Sequence, residues 1–169
     1  MIKKDLTVLS QEDVFHLIGK EWMLITAGNI KHFNTMTASW GGFGWLWNKP
    51  VAFIFVRPER YTYAFIESGG RITLSFLPEA FKPVLNLCGS KSGRQIDKIK
   101  ETGLLPLETE RGGVAFEQNR ITLDCRPLFR SPMQECQFQD PDVLSRWYND
   151  RPGGSLHVMY VLEIEDVYQ

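Results

Sequence analysis

Residues 34–63 have the sequence NTMTASWGGFGWLWNKPVAFIFVRPERYTY, and the prediction of the fold starts from this stretch. Its centre, residues 51–56, is a continuous apolar run of strand-forming residues between Pro50 and Pro58. Because the run is too short for an independent helix, it predicts a strand that is buried on both faces.

Polar side chains and tryptophans lie on both sides of this predicted strand. Before it comes a series of small hydroxyl and amide residues from Asn34 to Ser39, and then Trp40, Trp45 and Trp47. After it come two arginines and three hydroxyl side chains: Arg57, Arg60, Tyr61, Thr62 and Tyr63. A helix is predicted over residues 61–67, and the unpaired N–H groups at a helix start favour an anion. The stretch therefore predicts a ligand-binding site (the predicted cradle) in which the helix start binds an anionic group.

Length, charge and composition narrow the class of protein. The 169 residues, 43% of them hydrophobic, suffice for one domain with a real core, so we expect a single domain over residues 1–169. The net charge of −1 provides no field that would attract nucleic acid. No apolar stretch approaches the roughly 20 residues that span a bilayer, and the N-terminus lacks the apolar core of a signal peptide. We therefore expect a cytoplasmic protein that binds neither nucleic acid nor membrane.

The three cysteines, Cys88, Cys125 and Cys136, are widely spaced and form no CxxC motif. This pattern favours reduced thiols over a disulfide framework or a zinc site. We expect all three to be packing residues.

The N-terminal half alternates short helices and strands. A helix is predicted from Ser10 to Gly19, with Val14, Phe15, Leu17 and Ile18 on one buried face. A hairpin follows, with strands over residues 22–27 and 30–37 and a turn at residues 28–29. Residues 72–77 predict a further strand, and residues 79–87 predict a helix with Pro83 near its first turn.

A second polar loop, CGSKSGR at residues 88–94, precedes a helix predicted over residues 95–102 and closed by Gly103. A glycine-containing loop at a helix N-terminus can bind an anion through backbone N–H groups, and Lys91, Arg94 and Lys98 would add charge-assisted contacts. An ordinary solvated loop explains the segment equally well. The loop matches neither the P-loop nor the GxGxxG pattern.

Strands dominate the chain from Gly113 onward. We expect them over residues 114–118, 121–129, 133–138 and 156–167, with a helix from Asp140 to Trp147 and an exposed loop over residues 151–154. Antiparallel strands with short helices between them predict a mainly β fold. A closed or nearly closed β-barrel is the expected form, because closure removes exposed sheet edges.

Catalysis by protein side chains alone finds little support in the sequence. The GxSxG nucleophile elbow is absent, no cluster of metal ligands is visible, and of the three histidines only His32 lies near the predicted cradle. What remains is a site with backbone donors, hydroxyls, aromatic faces and two basic segments. This combination suits a planar phosphorylated cofactor such as flavin mononucleotide, FMN. The tryptophans could instead fill a core or a subunit interface.

Four motifs follow one another along the chain: NTMTASW at residues 34–40, WNKP at 47–50, RPERYT at 57–62, and CGSKSGR at 88–94 with Asp97 and Lys98. In this order they resemble the flavin reductase-like, flavoredoxin-type family of FMN-binding split-barrel proteins. The resemblance covers nearly the whole chain. It implies a split β-barrel of the Greek-key type that forms a homodimer and holds FMN near the subunit interface.

The resemblance also assigns residues to the cofactor. Those that would line the flavin ring and the ribityl chain are Asn34, Thr35, Met36, Thr37, Ala38, Ser39 and Trp40. Those that would bind the phosphate and the ribityl hydroxyls are Arg60, Thr62, Lys91, Ser92, Arg94 and Lys98, and Arg57, Tyr61 and Gly93 belong to the same predicted site. No catalytic acid or base is expected, because the flavin performs the hydride chemistry. Between residues 108 and 154 only the strand pattern matches the family.

The leading hypothesis is therefore an FMN-dependent oxidoreductase. It is either a reductase that uses NADH or NADPH or a flavoredoxin-type carrier that receives electrons from a protein partner, and the sequence does not separate the two. An alternative is a barrel that binds flavin or haem without turnover, although the lack of a well-placed axial histidine disfavours haem.

Overall fold

The computed structural model describes residues 1–148 and 154–169, and its main element is an antiparallel β-sheet. The strands are β1 (Lys3–Lys4), β2 (Met23–Asn29), β3 (His32–Ala38), β4 (Gly41–Leu46), β5 (Lys49–Val56), β6 (Ile72–Phe76), β7 (Pro106–Glu108), β8 (Val114–Phe116), β9 (Ile121–Pro132) and β10 (Val158–Tyr168). Seven of them form the path β3-β2-β6-β9-β10-β5-β4, and β1 pairs with β10. β7 and β8 form a separate two-stranded sheet.

The two end strands of this path are consecutive in the chain. β3 ends at Ala38 and β4 begins at Gly41, so only Ser39 and Trp40 connect the two ends of the sheet. The sheet must therefore curl until its ends meet at this corner, which is left unpaired. The predicted mainly β barrel with short helices is confirmed.

Short helices surround the sheet. They are α1 (Val14–His16), α2 (Tyr61–Glu67), α3 (Lys82–Ser90), α4 (Lys98–Thr102) and α5 (Pro141–Tyr148). A π-helical turn, Leu17–Glu21, continues α1, and 3-10 turns cover Leu6–Gln11, Glu79–Phe81 and Glu135–Gln137. Within the described ranges, no helix combines the length and the apolar character needed to cross a membrane.

The core lies inside the curled sheet. Ile25, Ile54, Leu74, Leu123 and Leu162 project into it from five different strands, and each is fully buried. Burial of an aliphatic side chain of this size contributes about 1.5–3 kcal/mol, so these residues hold the barrel together.

A second apolar cluster covers the outer face of β2. Leu24, the neighbour of Ile25, packs with Leu85 and Cys88 of α3 and with Phe116 of β8, because successive side chains of a strand point to opposite faces. Thr37 of β3 also donates a hydrogen bond from Oγ1 to the Leu85 carbonyl at 2.5 Å. These contacts place the end of α3, and the loop after it, beside β3.

Several local predictions are confirmed. The strand predicted over residues 51–56 is the greater part of β5, and the helix over residues 61–67 is α2. α5 follows Asp140, whose carboxylate accepts a hydrogen bond from the Asp142 N–H at 2.9 Å. Gly103 ends α4 in the left-handed conformation at φ 68°, which favours glycine.

The N-terminal helix differs from its prediction. Asp13, and not Ser10, caps it, because the Asp13 carboxylate accepts hydrogen bonds from the N–H groups of Phe15 and His16. The helical segment continues through Gly19 as the π-helical turn. Phe15 is 90% exposed and does not belong to the buried face.

The hairpin turn also differs from its prediction. β2 runs through residues 28–29, and the turn lies at Ile30 and Lys31. The Asn29 side chain fixes it there by accepting hydrogen bonds from the N–H groups of Lys31 and His32.

Four further predictions fail or lie outside the described residues. The helix predicted from residue 95 starts only at Lys98, where the Asp97 carboxylate caps it. The strand predicted over residues 133–138 is wrong: a capping box between Gln134 and Gln137 closes a 3-10 turn there. Cys136 in this turn is exposed, so it is not a packing residue, whereas Cys88 and Cys125 are buried. Residues 151–153 of the predicted loop at 151–154 lie outside the described ranges.

Candidate functional site

Three segments that are separate in the sequence converge on a small cavity of about 90 Å³. They are β3, the start of α2 and the loop between α3 and α4. The residues predicted for the site that line this cavity are Asn34, Met36, Arg60, Tyr61, Thr62, Lys91, Ser92, Gly93 and Lys98. Glu59 and Ser90 complete the lining. We call it the anion cavity because three basic side chains line it: the buried Lys98, the half-buried Arg60 and the exposed Lys91.

Hydrogen bonding and close packing fix the walls of the anion cavity. The buried Asn34 donates from Nδ2 to the Thr62 hydroxyl at 2.7 Å, which joins β3 to the first turn of α2. On the opposite loop, a Cβ atom at Gly93 would lie 2.1 Å from Asn34 Oδ1 and 3.1 Å from the Tyr61 ring. Only glycine lets the loop backbone come this close.

Lys98 provides the most buried charge of the cavity. Its side chain is 6% exposed, and its Nζ donates to the carbonyl oxygens of Thr35 at 2.7 Å and Cys88 at 2.8 Å. Burial lowers the pKa of Lys98 to about 8; the adjacent Cys88 acts in the opposite direction, and the Arg60 guanidinium adds to the lowering. The positive charges of Lys98 and Arg60 repel each other, so an anion bound near both would stabilise their charged forms.

A larger cavity of about 430 Å³ adjoins the anion cavity and shares Met36 and Arg60 with it. Five more of the predicted residues line it: Thr37, Ala38, Ser39, Trp40 and Arg57. Three residues that the sequence did not indicate, Phe55, Trp147 and His157, complete it. We call it the ring cavity, since the rings of Trp40, Phe55, Trp147 and His157 line it.

A hydrogen-bonded group of aromatic and basic residues closes one side of the ring cavity. The His157 ring centroid lies 5.2 Å from that of Trp40, and its Nδ1 lies 2.8 Å from the Tyr148 hydroxyl. Arg57 donates from Nη2 to the Trp147 carbonyl at 2.8 Å, and its guanidinium lies 5.1 Å from the Tyr148 ring centroid. Burial, with the charge of Arg57 as the next cause, lowers the pKa of His157 to about 4. His157 is therefore neutral at pH 7.

Two predicted residues line neither cavity. The Thr35 hydroxyl faces β2 and forms a hydrogen bond with Thr26 Oγ1 at 2.9 Å, so only its carbonyl, which binds Lys98, contributes. The exposed Arg94 donates to the Glu59 carbonyl at 3.1 Å and lies 4.7 Å from the Tyr61 ring centroid. Both residues, with His32, line a third cavity of about 390 Å³ that shares Asn34, Tyr61, Gly93 and Lys98 with the anion cavity.

Three residues of the ring cavity were not predicted from the sequence: Phe55, Trp147 and His157. Phe55 lies between the buried Ile54 and Val56, and alternation along β5 would have placed it on the opposite face. Trp147 and His157 carry no sequence signal, because α5 and the start of β10 reach the site only through the fold.

Comparison with known proteins gives a family match over most of the chain. The family model described as "Flavin reductase like domain" matches residues 15–169. Among curated proteins, none matches the sequence at a significant level.

Solved structures with the same fold include flavin-binding proteins of low sequence identity. The flavoredoxin of Methanosarcina acetivorans is 19% identical with a TM-score of 0.66, over 88% of this chain and 68% of that one. The flavoredoxin of Desulfovibrio vulgaris (Miyazaki F) is 20% identical with a TM-score of 0.67, over 99% and 76%. An FMN-binding domain of a flavin reductases-like enzyme from Shewanella baltica is 15% identical with a TM-score of 0.68, over 98% and 75%.

Proposed function

Because this chain belongs to the flavin reductase-like domain family, we propose that it is an FMN-binding oxidoreductase. The observation that carries the proposal is the convergence of two basic segments, the start of α2 and residues 91–98, on one cavity beside β3. Each segment alone could be a solvated loop. Their meeting at a cavity that opens to an aromatic-lined neighbour supports a ligand with an anionic end and a planar end.

The anion cavity would hold the phosphate of FMN. Arg60 and Lys98 supply positive charge, Thr62 and Ser92 supply hydroxyls, and Gly93 allows the loop backbone to approach. The fit rests on this chain's own features: a buried lysine whose hydrogen bonds in the described residues go to neutral carbonyl groups, and a glycine position that any side chain would close. Charge-assisted contacts to phosphate are the strongest that these side chains can make.

The ring cavity would hold the flavin ring, which residues 37–40, Phe55, Trp147 and His157 would surround. When bound, FMN supplies hydride or single-electron transfer. The chain's residues orient it and limit the access of water. The charge of Arg57 would stabilise electron density on the ring and so raise its reduction potential.

Electrons would enter from NADH or NADPH in a reductase, or from a protein donor in a flavoredoxin-type carrier. The visible spectrum of the purified protein during FMN titration tests cofactor binding. Anaerobic addition of NADH and of NADPH then tests the donor. Loss of the flavin band with one of them identifies the reductase and its donor, whereas a band that persists with both identifies a carrier or a binding module. A protein that carries no flavin absorption after incubation with excess FMN and removal of the free FMN would refute the proposal.

The proposal includes a homodimer in the cytoplasm. Trp45, Trp47 and Phe129 are 69%, 56% and 45% exposed, and the rings of Trp47 and Phe129 lie 6.1 Å apart. Aromatic side chains are enriched at the cores of subunit interfaces, which supports a dimer here. Light scattering coupled to size exclusion measures the molar mass. A monomer that still binds FMN fully would remove the dimer from the proposal and leave the rest intact.

A further inference from the structure

A separate apolar cavity of about 340 Å³ adjoins the ring cavity. Six apolar side chains line it: Trp40, Phe55, Met133, Phe138, Val143 and Trp147. Tyr148 is the remaining lining residue. Because Trp40, Phe55 and Trp147 also line the ring cavity, a ligand in the apolar cavity would lie directly beside it.

The walls of this cavity select against charge and favour a flat ligand. None of the described residues that line it carries a charge, and moving an unpaired ion into such surroundings is costly. The rings of Trp40 and Trp147 meet edge to face at 5.4 Å, and those of Phe138 and Tyr148 meet at 5.6 Å. Aromatic walls of this kind favour planar, unsaturated ligands.

The Tyr148 hydroxyl gives the apolar cavity a directed hydrogen-bond donor. It lies 2.8 Å from Nδ1 of His157 and 3.9 Å from the thioether sulfur of Met133, toward which it donates. His157 is neutral at pH 7, and of its two neutral tautomers only the one with the ring proton on Nδ1 satisfies both contacts. In that tautomer His157 donates to the Tyr148 oxygen, and the phenolic hydrogen is left for the sulfur. A thioether is a weak acceptor, and a stronger acceptor in the cavity would take its place.

We propose that this apolar cavity binds a small, uncharged, planar carbonyl compound whose oxygen accepts a hydrogen bond from the Tyr148 hydroxyl. Its volume lies within the range of about 300–1,000 Å³ that is typical of small-molecule sites. The binding of such a compound is independent of the flavin.

Two ligands of nearly the same shape test the hydrogen bond. Acetophenone carries a carbonyl group where α-methylstyrene carries a CH₂ group, and calorimetric titration of the purified protein with each gives the two affinities. Tyr148→Phe removes the hydroxyl, so acetophenone binding should weaken by at least about threefold to tenfold, the range for one neutral hydrogen bond, while α-methylstyrene binding should not weaken. Tyr168→Phe, which removes a tyrosine hydroxyl at the far end of β10, should leave both affinities unchanged.

A second variant tests the location. Val143 is 41% exposed on α5, so Val143→Trp fills the cavity without disturbing the core. It should reduce the binding of both ligands by at least about tenfold if they bind where we propose. Undiminished binding of both in this variant would overturn the assignment of the site.

Other outcomes separate this inference from the proposed function. An acetophenone affinity that is the same in the unmodified protein and in Tyr148→Phe would refute the role of Tyr148. No binding of either ligand, in a protein that does bind FMN, would refute the cavity as a ligand site while the proposed function stands. Carbonyl-dependent binding in a protein that fails to bind FMN would support the inference and refute the proposed function.

Discussion

Removal of the Lys98 charge is the perturbation that tests the anion cavity most directly. Lys98→Met keeps an unbranched side chain of similar length and deletes the ammonium group. Its Nζ is the buried cation that would face the FMN phosphate, with Arg60 beside it. A charge-assisted contact contributes about 1.5–3 kcal/mol, so FMN affinity at pH 7 should fall by about tenfold to 150-fold.

The depressed pKa of Lys98 predicts a pH dependence that a simple surface lysine would not show. With a pKa of about 8 in the flavin-free protein, Lys98 is about ten parts neutral to one part charged at pH 9. If FMN binds only the charged form tightly, its affinity should fall about tenfold between pH 7 and pH 9. The phosphate itself adds nothing in this window, because its second pKa is about 6.

The stability of the flavin-free protein should change in the opposite direction. The folded-state pKa of about 8 lies below the unfolded value of 10.5, so the unfolded chain binds more protons between these values. The free energy of unfolding therefore rises with pH across this window, by up to about 3 kcal/mol at about 1.4 kcal/mol per pKa unit. FMN affinity should fall over the same range.

Fluorescence titration with FMN and with riboflavin at pH 7 and pH 9 measures these effects. Riboflavin has the same ring without the phosphate, so its affinity should not change between the two pH values. Lys98→Arg keeps its charge at pH 9 and should remove the pH dependence of FMN binding. Constant FMN affinity in the unmodified protein, or an equal loss with riboflavin, would refute the pairing of Lys98 with the phosphate.

Three further predictions concern single residues. Arg60→Ala should weaken FMN binding by more than tenfold, about 1.5–3 kcal/mol, and an unchanged titration curve would exclude Arg60 from the site. Gly93→Ala should abolish tight FMN binding, since the added Cβ would lie 2.1 Å from Asn34 Oδ1; the matched control Gly19→Ala, with no atom within 4 Å of the new Cβ, should leave binding intact. The pKa of His157 is lowered from 6.5 to about 4, so its contribution to stability is complete above pH 6.5 and is lost as the pH falls toward 4. His157→Gln should flatten the stability profile measured by urea unfolding in that window, and an unaltered slope would count against a neutral, buried His157.

Features that depend on consecutive residues could be predicted from the sequence. β5 follows from its apolar run, α2 from the polar residues after Pro58, and the loop after α3 from its glycines and serines. α2 and the loop after α3 contribute residues to the anion cavity, which is why most residues of that cavity could be predicted from the sequence.

Features that depend on contact between distant segments could not be predicted. His157 and Tyr148 are nine residues apart, with the undescribed residues 149–153 between them, and only the fold places them in contact. The strand predicted from residue 133 failed because two glutamine side chains satisfy backbone groups that a strand would have paired. Phe15 failed as a core residue because it lies about 100° around the helix from Val14, at the edge of the apolar arc, and faces solvent there.

The two-residue connection between β3 and β4 has a consequence for the motions of the protein. Ser39 and Trp40 join the unpaired ends of the barrel, and both also line the ring cavity. Any transient parting of those strands must therefore deform the cavity, and a molecule that fills the cavity must oppose the parting. Amide hydrogen exchange along β3 and β4 should slow when a ligand fills the ring cavity. Exchange at these two strands would therefore report ligand binding even without turnover.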